Sequence, residues 1–165
     1  MRVSFQRRCK QALNLCMTVA ISLDELPAFA QQFWAAVGDA KVFLFYGDMG
    51  AGKTTLIEVL CAAKGVTEHT SSPTFSIINQ YAYTDNSEEQ LIYHIDLYRL
   101  KDEEEIIQAG VEDCVYSGSL CMVEWPQKAP DLFDEKAVRV YLTPVDATHR
   151  SIKVELPGGS VPEQL

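Results

Sequence analysis

The sequence has no apolar run approaching the ~20 residues that a helix needs to cross a bilayer. It therefore offers no candidate transmembrane helix, and we expect no membrane partner. Its five cysteines include no C-x-x-C pair, and no histidines stand at zinc-site spacing from them. This pattern argues against a structural zinc site and a disulfide framework. It favours reduced thiols in a cytoplasmic protein.

Arginine is scarce after the N-terminal segment. The only arginines that follow Cys16 are Arg99, Arg139 and Arg150. The first sixteen residues carry four basic side chains and no acid. The rest of the chain consequently has a formal net charge of −13, against −9 for the whole sequence. Because nucleic-acid phosphates are bound mainly by lysine and arginine, this core is poorly suited to direct binding of nucleic acid. We expect a protein partner, with nucleic acid reached only indirectly.

A chain of 165 residues, 47% of them hydrophobic, has room for one full core but not for two. We predict a single domain over residues 17–157, followed by a flexible tail at 158–165. Residues 1–16 are predicted to be a disordered or non-native extension, with Met17 as a possible true start. The alternative for this basic segment is an arm that contacts nucleic acid or an acidic partner.

The most informative stretch lies at residues 41–56. Val42–Tyr46 is continuously apolar, which is typical of a strand buried on both faces. Gly47–Thr54 follows directly and fits G-x-x-x-x-G-K-[ST], the Walker A phosphate loop. Thr55–Lys64 is predicted to be a helix, which Gly65 would terminate. Strand, loop and helix therefore occur in the order that a phosphate site requires.

The residue types in this loop suit a polyphosphate. Glycines let backbone N–H groups approach a phosphate closely, and the start of the helix adds the positive end of its dipole. Lys53 is expected to reach the β- and γ-phosphates, and the Thr54 hydroxyl to ligate Mg²⁺. The alternative is a glycine-rich turn with a lysine by chance, and the flanking strand and helix argue against it.

Two acids stand at or near the ends of apolar runs in the second half of the chain. Asp96 lies within Leu91–Tyr98, and Glu124 ends Leu120–Glu124. A carboxylate at the end of a buried strand is costly unless it meets a metal or another cation. The second run has the Walker B pattern, in which a buried strand delivers a carboxylate beside magnesium or the attacking water. Each acid also has a plainer interpretation as a chance strand-end residue, whereas His94 is more typical of a packed histidine than of a ligand.

The segment Val66–Phe75 is rich in small hydroxyl residues and contains Pro73, which predicts a loop. Its place after the phosphate-loop helix would let it fold over a bound nucleotide. Thr74 is a candidate sensor of the γ-phosphate or of Mg²⁺. On local sequence alone, an ordinary Ser/Thr turn is the better explanation.

Other patterns predict the remaining framework. Asp24 is the expected N-cap of the first helix. Alternating apolar residues predict two antiparallel hairpins, one with a polar turn at Thr84–Gln90 and the other with a turn at Asp146–Ser151. In the second turn, His149 or Arg150 is a candidate nucleotide contact.

Several motifs together resemble the TsaE family, small ATPases of bacterial tRNA threonylcarbamoyladenosine synthesis. They are GDMGAGKTT, SSPTF, HIDLYRL, the acidic helix over residues 102–110 that ends in glycine, and VEWP, in this order within about residues 19–156. The resemblance implies an α/β fold, a single P-loop NTPase domain with a mixed sheet flanked by helices. It also implies ATP and Mg²⁺ as ligands, with ATP hydrolysis needed for the pathway. The implied partners are the threonylcarbamoyl-transferase subunit, which has an actin-like ATPase fold, and its inactive paralogue.

The same resemblance implies roles for individual residues. The phosphates would be held by Gly50, Ala51, Gly52, Lys53, Thr54 and Thr55. Thr54 and Glu124 would hold the metal, Asp96 would serve the metal or its water, and Trp125 would flank the site. Thr74 would act as a switch-like residue. The predicted catalytic set is Lys53, Thr74, Asp96 and Glu124.

Two other function classes use the same loop. A small-molecule kinase usually clamps donor and acceptor with several arginines, and only Arg99 lies near the proposed site strands in sequence. A GTP switch would carry an N-K-x-D signature, which is absent, and no glycine stands at D-x-x-G spacing near a strand end. We therefore expect an ATPase whose slow intrinsic turnover is coupled to a partner complex.

Overall fold

The computed structural model describes residues 16–73 and 76–158. The strands in these ranges are β1 (Cys16–Ser22), β2 (Val42–Tyr46), β3 (Ile78–Asp85), β4 (Glu88–Asp96), β5 (Leu120–Glu124), β6 (Val138–Pro144) and β7 (His149–Glu155). They form one sheet in the order β1-β7-β6-β2-β5-β4-β3. Neighbours are parallel from β6 through β2 and β5 to β4, and antiparallel toward both edges. The predicted mixed sheet is confirmed.

Helices and short 3-10 turns connect these strands. The α-helices are α1 (Leu26–Ala36), α2 (Lys53–Ala63), α3 (Glu103–Gln108) and α4 (Val111–Val115). The 3-10 helices are Leu23–Glu25, Pro126–Lys128 and Pro130–Leu132. Among the described residues, none of the helices combines the length and the apolar character needed to span a membrane.

Each face of the sheet supports its own apolar core, and β2 contributes to both. Phe43 and Phe45 pack into the cluster that contains the buried side chains of α1 and α2. Leu44 points to the opposite face and joins the cluster that contains Ile106 of α3 and Val111 of α4. Successive strand side chains alternate between faces, so only a continuously apolar strand can serve two cores. The predicted double burial of β2 is confirmed.

The start of α1 differs from the expectation. The Ser22 backbone N–H and side-chain hydroxyl both donate to Glu25 Oε2, at 2.9 and 3.1 Å. This pairing begins the 3-10 turn Leu23–Glu25, and α1 follows from Leu26 with Pro27 in its first turn. Asp24 is therefore not the N-cap, because the capping pair sits one 3-10 turn earlier in the chain.

The two predicted hairpins are present, but both turns are shorter than expected. The second turn spans residues 145–148 and not Asp146–Ser151, because His149, Arg150 and Ser151 already pair in β7. Strands β3 and β4 extend to Asp85 and from Glu88, so the connection is only Asn86-Ser87. Both residues have positive φ, +49° and +68°, which is the backbone of a twist-compatible two-residue turn. The predicted seven-residue polar turn at Thr84–Gln90 is wrong because polar residues continue into the exposed strand ends.

Gly47 joins β2 to the phosphate loop and lies against the backbone of β6. A Cβ at this position would stand 2.6 Å from the carbonyl oxygen of Leu142. We expect Gly47→Ala to lower the free energy of unfolding by about 2–3 kcal/mol, since a backbone carbonyl in a paired strand cannot easily move aside. Urea unfolding without nucleotide measures this loss.

The matched control is Gly65→Ala. Gly65 also has positive φ, +92°, but a Cβ there would meet nothing within 4 Å. Its loss should be about 1 kcal/mol, from backbone strain alone. Equal losses in the two variants would contradict the close contact at Gly47.

Candidate functional site

The carboxyl ends of three parallel strands meet at one edge of the sheet. Gly47 follows β2 directly, Asp96 is the last residue of β4, and Glu124 is the last residue of β5. Asp96 and Glu124 are direct partners in the β4–β5 register. In open α/β sheets, ligands bind outside the carboxyl ends of the strands where the chain departs in opposite directions. The structure thus brings the glycine loop and both predicted acids together.

The loop that leaves β2 ends in a helix N-terminus. The Ala51 N–H donates to the Asp48 carbonyl at 3.1 Å, which closes the turn. Gly52 has φ +101°, a left-handed conformation that favours glycine, and α2 begins at Lys53. The N–H groups of the first helical turn have no acceptor within the helix, so they are available to an anion.

Lys53 is buried, with 4% of its surface exposed, and its ammonium contacts its own loop. The Nζ atom donates to the carbonyls of Gly47 at 2.7 Å and Asp48 at 3.0 Å. It also lies 4.1 Å from the centroid of the Trp125 ring, a cation–π contact. Desolvation lowers the pKa of Lys53, while the nearby carboxylates, Glu124 foremost, oppose that shift.

Glu124 is the most buried acid of the site, with 3% of its surface exposed. Its Oε1 accepts a hydrogen bond from the Thr54 hydroxyl at 2.8 Å. The same oxygen lies 2.9 Å from Nε2 of His94, a fully buried residue of β4. The bond from Thr54 ties the start of α2 to the end of β5. Since the hydroxyl proton points to Glu124, the oxygen lone pairs of Thr54 are left for a cation.

Asp96 is half-buried and is held by two donors. The Tyr98 N–H donates to Oδ1 at 2.9 Å, and the Ser72 hydroxyl lies 3.4 Å from Oδ2. Burial is the main cause that raises the pKa of Asp96 above its ordinary value of 3.8, and these hydrogen bonds oppose it. Ser72 belongs to the SSPTF segment, so part of that segment does reach the site. Thr74 lies outside the described residues, and its predicted role stays a prediction.

The site residues enclose two pockets that share part of the loop. The larger, about 310 Å³, is lined by Met49, Gly50, Gly52, Lys53, Thr54, Thr55, Asp96, Tyr98, Glu124 and Trp125. A second pocket of about 220 Å³ also contacts Gly50, Gly52 and Thr55, and is lined further by apolar residues such as Leu26 and Leu142. Together the two pockets extend from the strand-end acids to the edge of α1.

Sequence reasoning missed part of the site or weighed it too low. Tyr98 packs against Trp125 with the two rings tilted and their centroids 5.0 Å apart. It is part of the HIDLYRL motif, but nothing in the sequence pattern assigned it a role at the site. Arg150 donates through Nε to the Ala51 carbonyl at 3.2 Å and lines the second pocket. His94, interpreted as a packed histidine, is buried but contacts Glu124. Burial alone was predictable for His94, and its partner on the neighbouring strand was not.

The oxygen donors around the cleft suit a hard divalent cation. Thr54, Asp96 and Glu124 offer hydroxyl and carboxylate oxygens, the ligands that magnesium prefers. Within residues 16–73 and 76–158, no three His, Cys, Asp or Glu side chains form a ready-made metal site. Magnesium usually binds through one or two carboxylates completed by phosphates and water, so these residues fit a cation that arrives with a nucleotide.

Comparison with known proteins identifies the family. A family model described as "Threonylcarbamoyl adenosine biosynthesis protein TsaE" matches residues 21–152 of this chain. The chain belongs to the TsaE family. The match spans the phosphate loop, both strand-end acids and the whole of β2 to β6, together with residues 21–22 of β1 and residues 149–152 of β7. The recognition made from the sequence motifs is confirmed.

Individual TsaE-family relatives cover most of the chain. The tRNA threonylcarbamoyladenosine biosynthesis protein TsaE of Rickettsia bellii is 35% identical over 146 residues, which is 85% of this chain and 94% of the relative. The protein of that name from Haemophilus influenzae is 36% identical over 102 residues, 61% of this chain and 62% of the relative. The crystal structure of YdiB from Bacillus subtilis superposes with a TM-score of 0.64 at 22% identity, covering 87% of this chain and 86% of YdiB. That likeness confirms the predicted α/β fold, a single mixed sheet flanked by helices.

The raised pKa of Asp96 makes this residue a cost to the folded protein at neutral pH. The unfolded chain releases the proton near pH 3.8 and the folded chain releases it later, so wild-type stability falls as pH rises through that interval. We expect Asp96→Asn to raise the free energy of unfolding at pH 7, by about 1 kcal/mol at most. The gain should shrink as pH falls toward 4.

Urea unfolding across this pH range, in EDTA and without nucleotide, measures the effect. Asp39→Asn, at an exposed acid between α1 and β2, is the control for removal of one carboxylate from the protein surface. A stability gain for Asp96→Asn that stays constant between pH 4 and 7 would contradict the assignment.

Proposed function

We propose that this TsaE-family protein binds ATP with Mg²⁺ and hydrolyses it slowly in the cytoplasm, in support of threonylcarbamoyladenosine modification of tRNA. The observation that carries this proposal is the convergence of Lys53, Thr54, Asp96 and Glu124 on one cleft at the end of a glycine loop. The names of the relatives support the pathway.

Each group in the cleft has a chemical task under this proposal. The first-turn N–H groups of α2 and the Lys53 ammonium would bind the β- and γ-phosphates. Lys53 is already next to the loop and would exchange its bonds to the Gly47 and Asp48 carbonyls for phosphate oxygens. Thr54, Glu124 and Asp96 would hold Mg²⁺ directly or through water. When bound, that ion neutralises charge on the transferring phosphate.

The two acids would also serve the attacking water. Glu124 is kept in place by the Thr54 hydroxyl, and Asp96 by the Tyr98 N–H. A carboxylate with a fixed position can orient water in line with the γ-phosphate. No arginine lines the phosphate cleft of the described residues, so the charge that develops on hydrolysis is stabilised mainly by Lys53 and the metal. Slow intrinsic turnover follows from this short supply of positive charge.

The second pocket is the proposed place of the nucleoside. It adjoins the loop at Gly50, Gly52 and Thr55, and its walls include Leu26 and Leu142 from α1 and β6. Apolar walls with a few polar groups are typical of base and ribose sites. Arg150, which lines this pocket, donates to the Ala51 carbonyl and would thereby help to keep the shape of the loop.

The proposed partners are the threonylcarbamoyl-transferase subunit of actin-like ATPase fold and its inactive paralogue. Met49 and Tyr98 lie at the phosphate cleft with 68% and 44% of their surfaces exposed. Exposed large apolar residues beside a reactive site are suited to contact with a second protein. The net charge of −13 after Cys16 supports indirect rather than direct contact with tRNA.

Substitution of two cleft residues separates binding from turnover. Lys53→Ala should remove detectable binding of a fluorescent ATP analogue, because among the described residues Lys53 is the one lysine that lines the phosphate cleft. Glu124→Gln should keep binding within a few-fold but lower the rate of ATP hydrolysis by about 100-fold or more. Glu88→Gln, at an exposed acid of the β3–β4 hairpin, is the matched control and should behave like wild type.

The same three variants test the pathway in a reconstituted tRNA-modification assay with the transferase complex. Lys53→Ala and Glu124→Gln should fail to sustain many turnovers, whereas Glu88→Gln should sustain them. Wild-type hydrolysis by Glu124→Gln would refute the catalytic assignment. Modification that proceeds equally well without the protein would refute the pathway assignment. ADP release that requires a small-molecule acceptor, with the phosphoryl group transferred to that acceptor, would instead indicate a kinase.

The nucleoside pocket gives a separate prediction. Ala147 lies in the exposed β6–β7 turn and lines the 220 Å³ pocket, so Ala147→Trp would fill much of that space. We expect about tenfold weaker binding of ATP and unchanged binding of tripolyphosphate, which has no base. Isothermal titration measures both affinities. The control is Val145→Trp, at an exposed residue of the same turn that does not line the pocket. If Ala147→Trp weakened the binding of tripolyphosphate as much as the binding of ATP, the placement of the base would be contradicted.

A further inference from the structure

His94 is a fully buried polar residue beside the candidate site. It lies on β4 two residues before Asp96, so both side chains project from the same face of the sheet. Its Nε2 atom is 2.9 Å from Glu124 Oε1. Its Nδ1 atom is buried and has no hydrogen-bond partner in the described part of the chain. An unpaired polar atom in a protein core costs free energy. We therefore infer that the contact between Nε2 and Glu124 is the reason for a histidine at this position.

The two ring atoms together assign the position of the proton. A neutral imidazole has one donor and one acceptor nitrogen. With the proton on Nδ1, a buried N–H would be unpaired and the Nε2 lone pair would face a carboxylate oxygen. With the proton on Nε2, the ring donates to Glu124, and the one group left unpaired is the acceptor lone pair at Nδ1. The geometry therefore favours the Nε2–H tautomer, with His94 donating to Glu124.

We propose that His94 is a positioning residue that fixes the orientation of the Glu124 carboxylate for the proposed ATPase reaction. Oε1 receives two donors from different elements, Thr54 on α2 and His94 on β4. Two converging hydrogen bonds restrict rotation of the carboxylate about its terminal torsion, which is otherwise broad. The other oxygen, Oε2, is thereby restrained as well, and Glu124 lines the cleft, where this oxygen would hold the metal or orient the attacking water.

The hydroxyl of Thr54 alone would not provide this restraint. Thr54 is at the start of α2, and its hydroxyl is shared with the cation in the proposed site. His94 is on β4, which has a neighbouring strand on each side, and its side chain is fully buried, so its ring has no freedom to leave when the loop binds a ligand. Residues that orient metal-ligating or catalytic groups typically contribute 10- to 100-fold to activity or metal affinity. We expect an effect of about this size when the hydrogen bond from His94 is removed.

Two variants and one spectroscopic measurement test this inference, which rests on the proposed function. His94→Leu removes the donor, and His94→Gln restores an N–H at a similar reach. We expect His94→Leu to lower kcat for ATP by about 10- to 100-fold while the KM for ATP changes less than threefold. It should also raise the Mg²⁺ concentration needed for half-maximal binding of a non-hydrolysable ATP analogue. His94→Gln should recover most of both effects.

The spectroscopic arm needs neither metal nor nucleotide. Nuclear magnetic resonance of ¹⁵N-labelled protein should show one buried histidine as the Nε2–H tautomer, with a slowly exchanging ring proton that shifts in Glu124→Gln. A purely structural His94 would lower the free energy of unfolding in His94→Leu but leave kcat and the Mg²⁺ dependence unchanged, which would overturn the inference. An Nδ1–H tautomer would overturn it as well.

Failure of the proposed function has a different signature. Wild-type protein would then show no Mg²⁺-dependent binding of the analogue, whatever tautomer the spectrum reveals. If wild type binds and hydrolyses ATP and His94→Gln restores stability but not kcat, the hydrogen bond is not what Glu124 requires, and the positioning role is wrong.

Discussion

One oxygen atom, Oε1 of Glu124, joins the elements that make the site. It receives the Thr54 hydroxyl from α2 and faces the His94 ring from β4, while Glu124 itself ends β5. A carboxylate buried this deeply is tolerated only with such partners. The requirement explains why β5 must lie between β2 and β4, since only that order lets one side chain contact both the loop helix and the next strand.

The positive charge that lines the phosphate cleft comes from a single lysine in the described part of the chain. This lysine, Lys53, is held by two loop carbonyls and the face of Trp125. Trp125 adopts φ +60°, an unusual backbone for a large residue, directly after Glu124. Strained backbone clusters at functional sites, where the surrounding structure maintains it. Here the left-handed residue places the indole ring over the lysine.

The sequence pattern predicted those features that depend on residues close together in the chain, such as the buried strands. The continuous apolar run Val42–Tyr46 demanded two buried faces, and Glu124 ended a run that only a core strand could use. The turn at Thr84–Gln90 was misjudged because polarity marks exposure, whereas the left-handed backbone of two residues sets the turn. His94 contacts Glu124 on the neighbouring strand, and Arg150 contacts Ala51, which is 99 residues earlier in the chain. The pattern of a single sequence does not show which distant residues meet. The family motifs supplied function where periodicity could supply only fold.

The phosphate loop is assembled against late parts of the chain. Gly47 lies against the Leu142 carbonyl of β6, and the Ala51 carbonyl is held by Arg150 of β7. During synthesis on a ribosome, the loop therefore emerges long before the strands that shape it. Its folding must wait for contacts of high sequence separation, which are slow to form. A nascent chain stalled before β6 would contain the phosphate-loop sequence but lack the contacts from β6 and β7 that shape the loop. Ligand binding can therefore report completion of the domain.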